Sequence, residues 1–245
     1  MAVRRLGAVA AVAVALSVVV GLATWWRDAG APASQPVASV QGAQLDRSAT
    51  VDPGVADHVR DAVTRVLATG CGEARQGTAT LLDLPDGPMA VTNQHVVAGA
   101  SHAVLDDPGE DHADSDVTVR VADRDAVHLD PTPFEDAGAQ ALPIGPRPVV
   151  GSSVMVAGYP GGAFRAGIGR VVQVERRQGY GGTVDMLIID VQAVPGISGG
   201  VVVDAAGRAV GVVAARDPQT GDTVAYPVDA LTGATEAGSR SCSTG

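Results

Sequence analysis

The chain has 245 residues, of which 46% are hydrophobic, 18% charged and 3% aromatic. This length and apolar fraction suffice for a sizeable core and exclude a disordered chain. The net charge is −10, and all 17 basic residues are arginine. Contacts to phosphates supply most of the affinity for nucleic acids, so an acidic chain without a basic stripe is not expected to bind them. The 31 glycines and 15 prolines favour many turns and an all-β fold of short strands.

An apolar stretch near the N-terminus predicts export. It runs from Leu6 to Trp26 without a charged residue and follows two arginines, which favour a cytoplasmic N-terminus. Its 21 residues, at about 1.5 Å of helical rise each, span the roughly 30 Å hydrocarbon core of a bilayer. We therefore predict a transmembrane signal anchor over residues 1–26. A cleaved signal peptide with an A-x-A site at 31–33 is the alternative, and both interpretations place the remainder outside the cytoplasm.

A linker and a helix are predicted next. Residues 27–50 are rich in Ala, Pro, Ser and Gln without periodicity, which predicts a flexible linker. From Pro53 the pattern is helical, with Val59 and Val66 on one face, so we predict a short amphipathic helix at the start of a domain over residues 51–245. Because β-branched residues accumulate towards its end, the last turn of this segment is alternatively the first strand.

From Thr78 onward the hydrophobic period becomes two, which is the period of a β-strand. Turn motifs, such as PDG at 85–87 and PGG at 160–162, separate the apolar runs, and no helical segment lies between them. Many short strands of this kind predict a β-barrel or a β-sandwich. The predicted strands are 78–82, 89–92, 117–121, 154–157, 169–174, 186–191, 201–203, 209–213 and 223–226.

The segment PGISGG at residues 195–200 carries a candidate nucleophile, Ser198, between two apolar strands. Its small neighbours let a substrate approach, and consecutive backbone N–H groups can point at a developing oxyanion. A glycine-rich turn with an incidental serine is the alternative. The same letters fit the G-x-S-x-G elbow of α/β-hydrolases, in which the histidine follows the serine. All five histidines here precede Ser198, which excludes that fold and leaves the chymotrypsin-type order His, Asp, Ser.

Two motifs resemble those of a known protease family. TNQHVVAG at 92–99 closely resembles the TNAHVV segment of HtrA/Deg-type serine proteases, and PGISGG resembles their PGNSGG. GYPGG at 158–162 is similar to their turn between two barrels. The two cysteines and the apolar N-terminus further resemble MarP-type membrane-anchored serine proteases. The resemblance covers about residues 70–235 and implies an all-β, trypsin-like fold of two packed six-stranded antiparallel β-barrels, with the active site in the cleft between them.

The resemblance also implies the function and its residues. It implies a serine endopeptidase with His95, Asp125 and Ser198 as the catalytic triad, acting on proteins or peptides without a metal or another cofactor. Asp125 begins DAVHL, which keeps the aspartate and the apolar alternation of the family's D-x-A-x-L strand, and Asp123 is the competing candidate. The backbone N–H groups of Gly196 and Ser198 would form the oxyanion hole. A catalytically silent domain of this fold that binds peptides or an envelope protein is the alternative function.

Three residues depart from the family pattern. Ile197 stands where the family usually has Asn or Asp, Val201 where it has Pro, and Gln94 where it has a small residue. The chemistry of the triad does not need these side chains, but they bear on the shape of the cleft and of the oxyanion loop. The chain does not carry the H-E-x-x-H motif of a metal-dependent hydrolase.

The cysteines and the specificity pocket complete the sequence-based expectations. In an exported protein Cys71 and Cys242 are predicted to form a disulfide, which would constrain the unfolded chain by about 4–5 kcal/mol; two unpaired buried thiols are the alternative. By resemblance, segments 190–197 and 208–226 form the pocket walls. Three alanines there (Ala214, Ala215 and Ala225) suggest a small or apolar substrate residue, whereas the neighbouring Arg216 and Asp217 argue against it. The sequence assigns neither a substrate preference nor an oligomeric state.

Overall fold

The computed structural model describes residues 53–70, 72–100, 102–106, 115–122, 125–179, 182–231 and 234–237. All of them belong to one compact unit, Ala43–Gly245. The predicted anchor at 1–26, the linker at 27–50 and both cysteines lie outside the described residues. In the ranges given above, none of the helices has the length and apolar character needed to cross a bilayer.

Strands dominate the described part of the chain, as the sequence predicts. Two α-helices and two short 3₁₀ helices, Pro160–Gly162 and Val228–Ala230, accompany them. In chain order the helices and strands are α1 (Pro53–Asp61), β1 (Val63–Gly70), β2 (Glu73–Leu84), β3 (Gly87–Asn93), β4 (His102–Asp106), β5 (Ser115–Ala122), β6 (Ala126–Leu129), α2 (Thr132–Asp136), β7 (Leu142–Pro143), β8 (Ser153–Gly158), β9 (Arg165–Gly179), β10 (Gly182–Gln192), β11 (Val201–Val203), β12 (Ala209–Arg216), β13 (Asp222–Pro227) and β14 (Ala234–Ala237).

Six strands of the second half, residues 153–227, form a closed barrel in the order β10-β13-β12-β11-β8-β9. Successive side chains of a strand point to opposite faces, and in β8 both faces are buried from Val154 onward. In β8, Val154 and Val156 belong to the cluster inside the barrel, whereas Met155 and Ala157 belong to a second cluster that also holds α1 and first-half residues. Burial on both sides explains why this strand is a continuous apolar run rather than an alternating one.

The first half forms an eight-stranded sheet, which departs from the predicted six-stranded barrel. Strand β1 pairs with both β2 and β4, so β1-β4-β5-β6-β3-β2 connect in a ring of six. Strand β7 then adds in parallel to β2, and β14 pairs with β5. The prediction of a closed six-stranded barrel is therefore confirmed for the second half, and in the first half two further strands pair with the ring of six.

The structure also settles where the first strand begins. Helix α1 ends at Asp61 and β1 begins at Val63, so Val66 lies on a strand and the alternative interpretation of this segment is correct. The sequence-based assignment missed β4, β7 and β14, which have five, two and four residues, and it proposed β6 only through the family resemblance. Strands this short present too few alternating positions for the period to be recognised.

Strand β2 is buried on both of its faces and thereby joins the two halves. Its consecutive residues Leu81 and Leu82 point in opposite directions. Leu81 packs in the cluster inside the first sheet, and Leu82 packs in the cluster shared with the outer face of the barrel. The same strand is thus part of the first core and part of the contact between the halves.

Truncating Leu82 tests this contact. Leu82 is 0% exposed and Val149 is 72% exposed. We expect Leu82→Ala to lower the free energy of unfolding by about 2–5 kcal/mol, because it leaves a cavity between the halves. Val149→Ala, the matched surface truncation, should change it by no more than about 0.5 kcal/mol. Urea denaturation of both variants measures this, and equal effects would contradict the buried position of Leu82.

Candidate active site

The pairing of β3 with β6 brings His95 and Asp125 together. In this antiparallel pair Asn93 lies opposite Ala126. The chain that leaves β3 and the chain that enters β6 are therefore neighbours, and they carry His95 and Asp125. The His95 Nδ1 atom lies 3.0 Å from Asp125 Oδ2. The competing Asp123 lies outside the described residues, so the structure gives no position for it.

Four contacts with residues 93–95 hold Asp125. Its carbonyl oxygen accepts hydrogen bonds from the Gln94 N–H (2.9 Å) and from Asn93 Nδ2 (3.3 Å). Its carboxylate accepts from the His95 backbone N–H (3.2 Å) as well as facing the ring. Asp125 is 3% exposed and has a φ of 59°, a left-handed conformation that costs an L-residue free energy. These hydrogen bonds stabilise that conformation and fix the carboxylate against the ring.

This contact determines which ring nitrogen of a neutral His95 carries the proton. An ionised carboxylate is only an acceptor, so Nδ1 must donate to Asp125. The lone pair then lies on Nε2, on the opposite side of the ring. The side chain is 37% exposed, so Nε2 is available to accept a proton from another group.

Ser198 lies on a tight loop between β10 and β11, and Gly199 is essential to its shape. Gly199 has a φ of 85°, and a Cβ atom at this position would lie 2.0 Å from the Thr78 carbonyl oxygen. No other residue fits so close an approach. Its N–H donates to the Val213 carbonyl oxygen at 2.8 Å, and the Val213 N–H donates to Gly200 at 2.7 Å. These bonds attach the loop to β12.

Two backbone N–H groups of the loop remain available. Within the described part of the chain, neither the Gly196 N–H nor the Ser198 N–H donates a hydrogen bond. The Pro195 carbonyl oxygen accepts from the Gly161 N–H at 3.0 Å. Because C=O and N–H point in opposite directions across a trans peptide, this bond turns the Gly196 N–H away from Gly161. The arrangement leaves two donors on the residues that the resemblance assigns to an oxyanion hole.

The segments that carry His95 and Ser198 meet on strand β2. A Cβ atom on Gly77 would lie 2.7 Å from Val96, the residue after His95, and 3.0 Å from the Ser198 carbonyl oxygen. Both segments therefore approach this glycine too closely for a side chain to fit there. Among the described residues there is no hydrogen bond between the Ser198 hydroxyl and the His95 ring. Such bonds are often long in a protease without substrate and shorten when a substrate binds.

Comparison with known proteins shows the family and the fold of the chain. A family model described as the trypsin-like peptidase domain matches residues 77–212, more than half of the chain. The chain belongs to the trypsin-like peptidase family. It is a serine endopeptidase by this membership and by its similarity to HtrA-type proteases. The matched range includes the candidate histidine, aspartate and serine.

Solved structures of related proteases have the same fold. The active form of the Rv3671c protease from M. tuberculosis superposes with a TM-score of 0.62 at 23% identity, over 80% of this chain and 94% of that one. The HtrA-type protease AlgW with a tripeptide superposes with a TM-score of 0.60 at 26% identity, over 73% of this chain and 61% of that one. The serine endoprotease from Yersinia pestis superposes with a TM-score of 0.58 at 21% identity, over 74% of this chain and 65% of that one. No curated protein matches the chain.

Two departures from the family pattern lie in or directly after the Ser198 loop of this peptidase, and the third precedes His95. Ile197 is buried among the apolar residues inside the second barrel, so its side chain helps to anchor the loop. Val201 is part of β11 and pairs with Val212 and Ala157. Gln94 is buried, and its Oε1 has no hydrogen-bond partner among the described residues.

Sequence reasoning missed four residues of the site, which are polar side chains at buried strand positions. Asn93 holds Asp125, and three threonines of the first sheet donate hydrogen bonds near the Ser198 loop. A hydroxyl within an apolar strand is the feature that could have marked these threonines, because buried polar groups need partners. The three are Thr78, Thr80 and Thr92.

The segment predicted to form a pocket wall of the peptidase contains polar residues beside its alanines. Ala214 and Ala225 are buried within the apolar clusters, whereas Arg216 is exposed. Asp217 is held by Arg177, with 2.6 Å between Oδ2 and the guanidinium. Its Oδ1 accepts the backbone N–H groups of the following turn at 2.9 and 3.0 Å. The hydrogen bond from Arg177, followed by those two N–H groups, lowers the pKa of the Asp217 carboxyl below its usual value.

This pKa shift predicts how the stability of the peptidase depends on pH. Because the native pKa is lowered, the charged carboxylate stabilises the fold above the unfolded-state pKa of about 4. That contribution is lost as the pH falls below this value. We expect Asp217→Asn to destabilise the protein at pH 7 and the difference from wild type to shrink between pH 5 and 2.

Urea denaturation across that pH range measures the effect. Asp185→Asn is the matched control, because Asp185 pairs with Arg176 at 3.4 Å in an exposed position, where ion pairs contribute little. A stability difference for Asp217→Asn that does not change with pH would contradict the lowered pKa.

Proposed function

We propose that this chain hydrolyses peptide bonds of proteins or peptides outside the cytoplasmic membrane, with Ser198 as nucleophile, His95 as general base and Asp125 as its orienting acid. The observation that carries the proposal is the contact of 3.0 Å between His95 Nδ1 and Asp125 Oδ2. Asp125 is 3% exposed and holds its left-handed conformation at the turn into β6, where its carboxylate faces the ring.

The arrangement supports a two-step reaction. Ser198 Oγ attacks the carbonyl carbon of the scissile bond while its proton passes to His95 Nε2. Asp125 stabilises the resulting imidazolium, which donates the proton to the departing amine and leaves an acyl group on Ser198. Water, deprotonated by the same ring, then cleaves that ester and frees the carboxylic acid. The N–H groups of Gly196 and Ser198 would stabilise the oxyanion, a contribution of about 3–4 kcal/mol for each donor.

The strand edges beside the loop suit an extended peptide. Strand β11 pairs with β12 only as far as Val212. Beyond Val213, which bonds to Gly199 and Gly200, residues 214–216 pair on one side only within the described part of the chain. An extended peptide pairs readily with such an edge through its own backbone. We therefore propose protein segments in extended conformation as substrates.

The proposed location rests on the N-terminal sequence. The uncharged stretch from Leu6 to Trp26 supports a single-pass anchor, with the protease domain on the outer side of the membrane. In that compartment the predicted disulfide between Cys71 and Cys242 would be stable. If the N-terminal segment is cleaved instead, the same domain is secreted.

A fluorophosphonate probe tests the nucleophile. We expect the full-length protein in detergent to be labelled at Ser198, because the probe reacts with a serine whose proton is withdrawn by a base. Ser198→Ala should not be labelled. Labelling is followed by gel fluorescence, and is repeated with added peptides and at acid pH in case the resting enzyme needs activation.

The alternative function predicts a different result. If the folded, disulfide-bonded wild type is not labelled under any of these conditions, the chain is a catalytically silent member of its family that binds peptides or an envelope protein. A peptide-library cleavage profile beside the Ser198→Ala control would then be blank as well.

Replacing Asp125 tests the orienting acid. We expect Asp125→Asn to lower kcat by about 10⁴-fold, since an amide stabilises the wrong tautomer of His95 and does not stabilise the imidazolium. The variant should fold, because asparagine tolerates the left-handed conformation. Steady-state peptide cleavage measures the effect, and circular dichroism checks the fold. Asp123→Asn is the matched control and should keep wild-type activity; the opposite ranking would assign the role to Asp123.

A further inference from the structure

Thr78 of β2 connects the first sheet to both sides of the nucleophile. Its backbone N–H donates to the Ser198 carbonyl oxygen at 2.8 Å, and its hydroxyl donates to the Gly196 carbonyl oxygen at 2.9 Å. The hydroxyl also accepts the Tyr159 N–H at 2.9 Å. Its own carbonyl oxygen accepts from Thr92 Oγ1 at 2.6 Å. Thr78 is 0% exposed, so its own groups in these hydrogen bonds lie away from solvent.

The hydroxyl is suited to join three segments at once. A threonine hydroxyl has one donor and two acceptor sites. Here the donor is directed at the Ser198 loop, and one acceptor site receives the turn that follows β8. That turn also holds the loop directly, because the Gly161 N–H donates to the Pro195 carbonyl oxygen at 3.0 Å. The hydroxyl therefore links β2, the turn and the loop at one buried point.

Two hydrogen bonds of Thr78 hold the peptide planes on either side of the plane that presents the Ser198 N–H, and the Gly161 bond holds the plane of the Gly196 N–H. The Gly161 bond fixes the plane whose N–H belongs to Gly196. The Thr78 hydroxyl fixes the next plane through the Gly196 carbonyl oxygen, and the Thr78 N–H fixes the plane that follows Ser198. Rotation of the Gly196 carbonyl would break its hydrogen bond with Thr78 and leave the buried hydroxyl donor without an acceptor, at a cost of about 1–3 kcal/mol.

We propose that Thr78 is a positioning residue of this protease, whose hydroxyl holds the Ser198 loop in the conformation that aims the Gly196 and Ser198 N–H groups at the oxyanion. This inference rests on the proposed function. The residue does not touch substrate. It acts through the loop, so its loss should weaken stabilisation of the transition state more than binding of the ground state.

The test compares two substitutions at Thr78 in the full-length protein. Thr78→Val keeps the shape and the backbone N–H but removes the hydroxyl. Thr78→Ser keeps the hydroxyl. We expect Thr78→Val to lower kcat by about tenfold to a hundredfold, approaching the effect of losing one oxyanion donor, with KM changed less than about threefold. Thr78→Ser should retain kcat within about threefold. The substrate is a peptide that the wild type cleaves and Ser198→Ala does not.

A second readout separates positioning from loss of stability. A peptide aldehyde forms a hemiacetal with the nucleophile and places its oxygen where the oxyanion develops, so its inhibition constant should rise in Thr78→Val in parallel with the fall in kcat. Leu82→Ala is the matched control, a truncation on the same strand that is expected to destabilise the fold without altering the loop. Assayed at a temperature where it stays folded, it should retain wild-type kcat and inhibition.

The outcomes are distinguishable. Thr78→Val with wild-type kcat and inhibition would overturn the inference while the proposed function stands. Equal loss of kcat in Leu82→Ala would also overturn it, since destabilisation alone would then explain the effect. If Thr78→Val does not fold, Thr78→Ala takes its place with the same expectation, because a smaller side chain cannot clash with the Tyr159 backbone. Failure of the wild type to react with the fluorophosphonate would instead remove the proposed function itself.

Discussion

The hydrogen bond from the Thr78 N–H to the Ser198 carbonyl oxygen (2.8 Å) crosses from the first sheet to the loop of the second half. The crossing is close enough that Gly199 must lack a side chain, since a Cβ there would lie 2.0 Å from the Thr78 carbonyl oxygen. Because the Thr78 N–H is buried, water cannot replace this hydrogen bond if the two halves shift relative to each other. The loop therefore takes its position from a strand that is packed on both faces.

The two halves contribute differently to the site. Pairing of β3 with β6 assembles His95 and Asp125 within the first sheet, without help from the second. The second half supplies Ser198 and the two free N–H groups. The halves are then aligned along β2, at Gly77, Thr78 and Thr80. This division lets the base and its acid be held rigidly while the loop stays close to solvent.

Much of this arrangement could be predicted from the sequence because the two motifs are local. The residues of TNQHVVAG and PGISGG lie at the end of one strand and before another, where the structure has them. Asp125 could be proposed from the resemblance of DAVHL to a strand of the family, although its left-handed conformation could not. The roles of Asn93 and Thr78 depend on contacts between segments far apart in the chain, which periodicity does not encode. The two added edge strands, β7 and β14, are likewise fixed by pairing across the sheet.

The outward-facing side chains of the second barrel determine how the two halves stay associated. Met155 and Ala157 on β8, and Val201 and Val203 on β11, are covered by the shared apolar cluster rather than by water. If the barrel separated from the first half, this apolar surface would be exposed to solvent and would associate with other chains. Val149 and Val150 are exposed and lie in the segment that connects the halves. If a protease cut this segment, the two fragments would therefore remain associated through the apolar cluster. Such a nicked molecule would migrate as one particle until a denaturant released its halves.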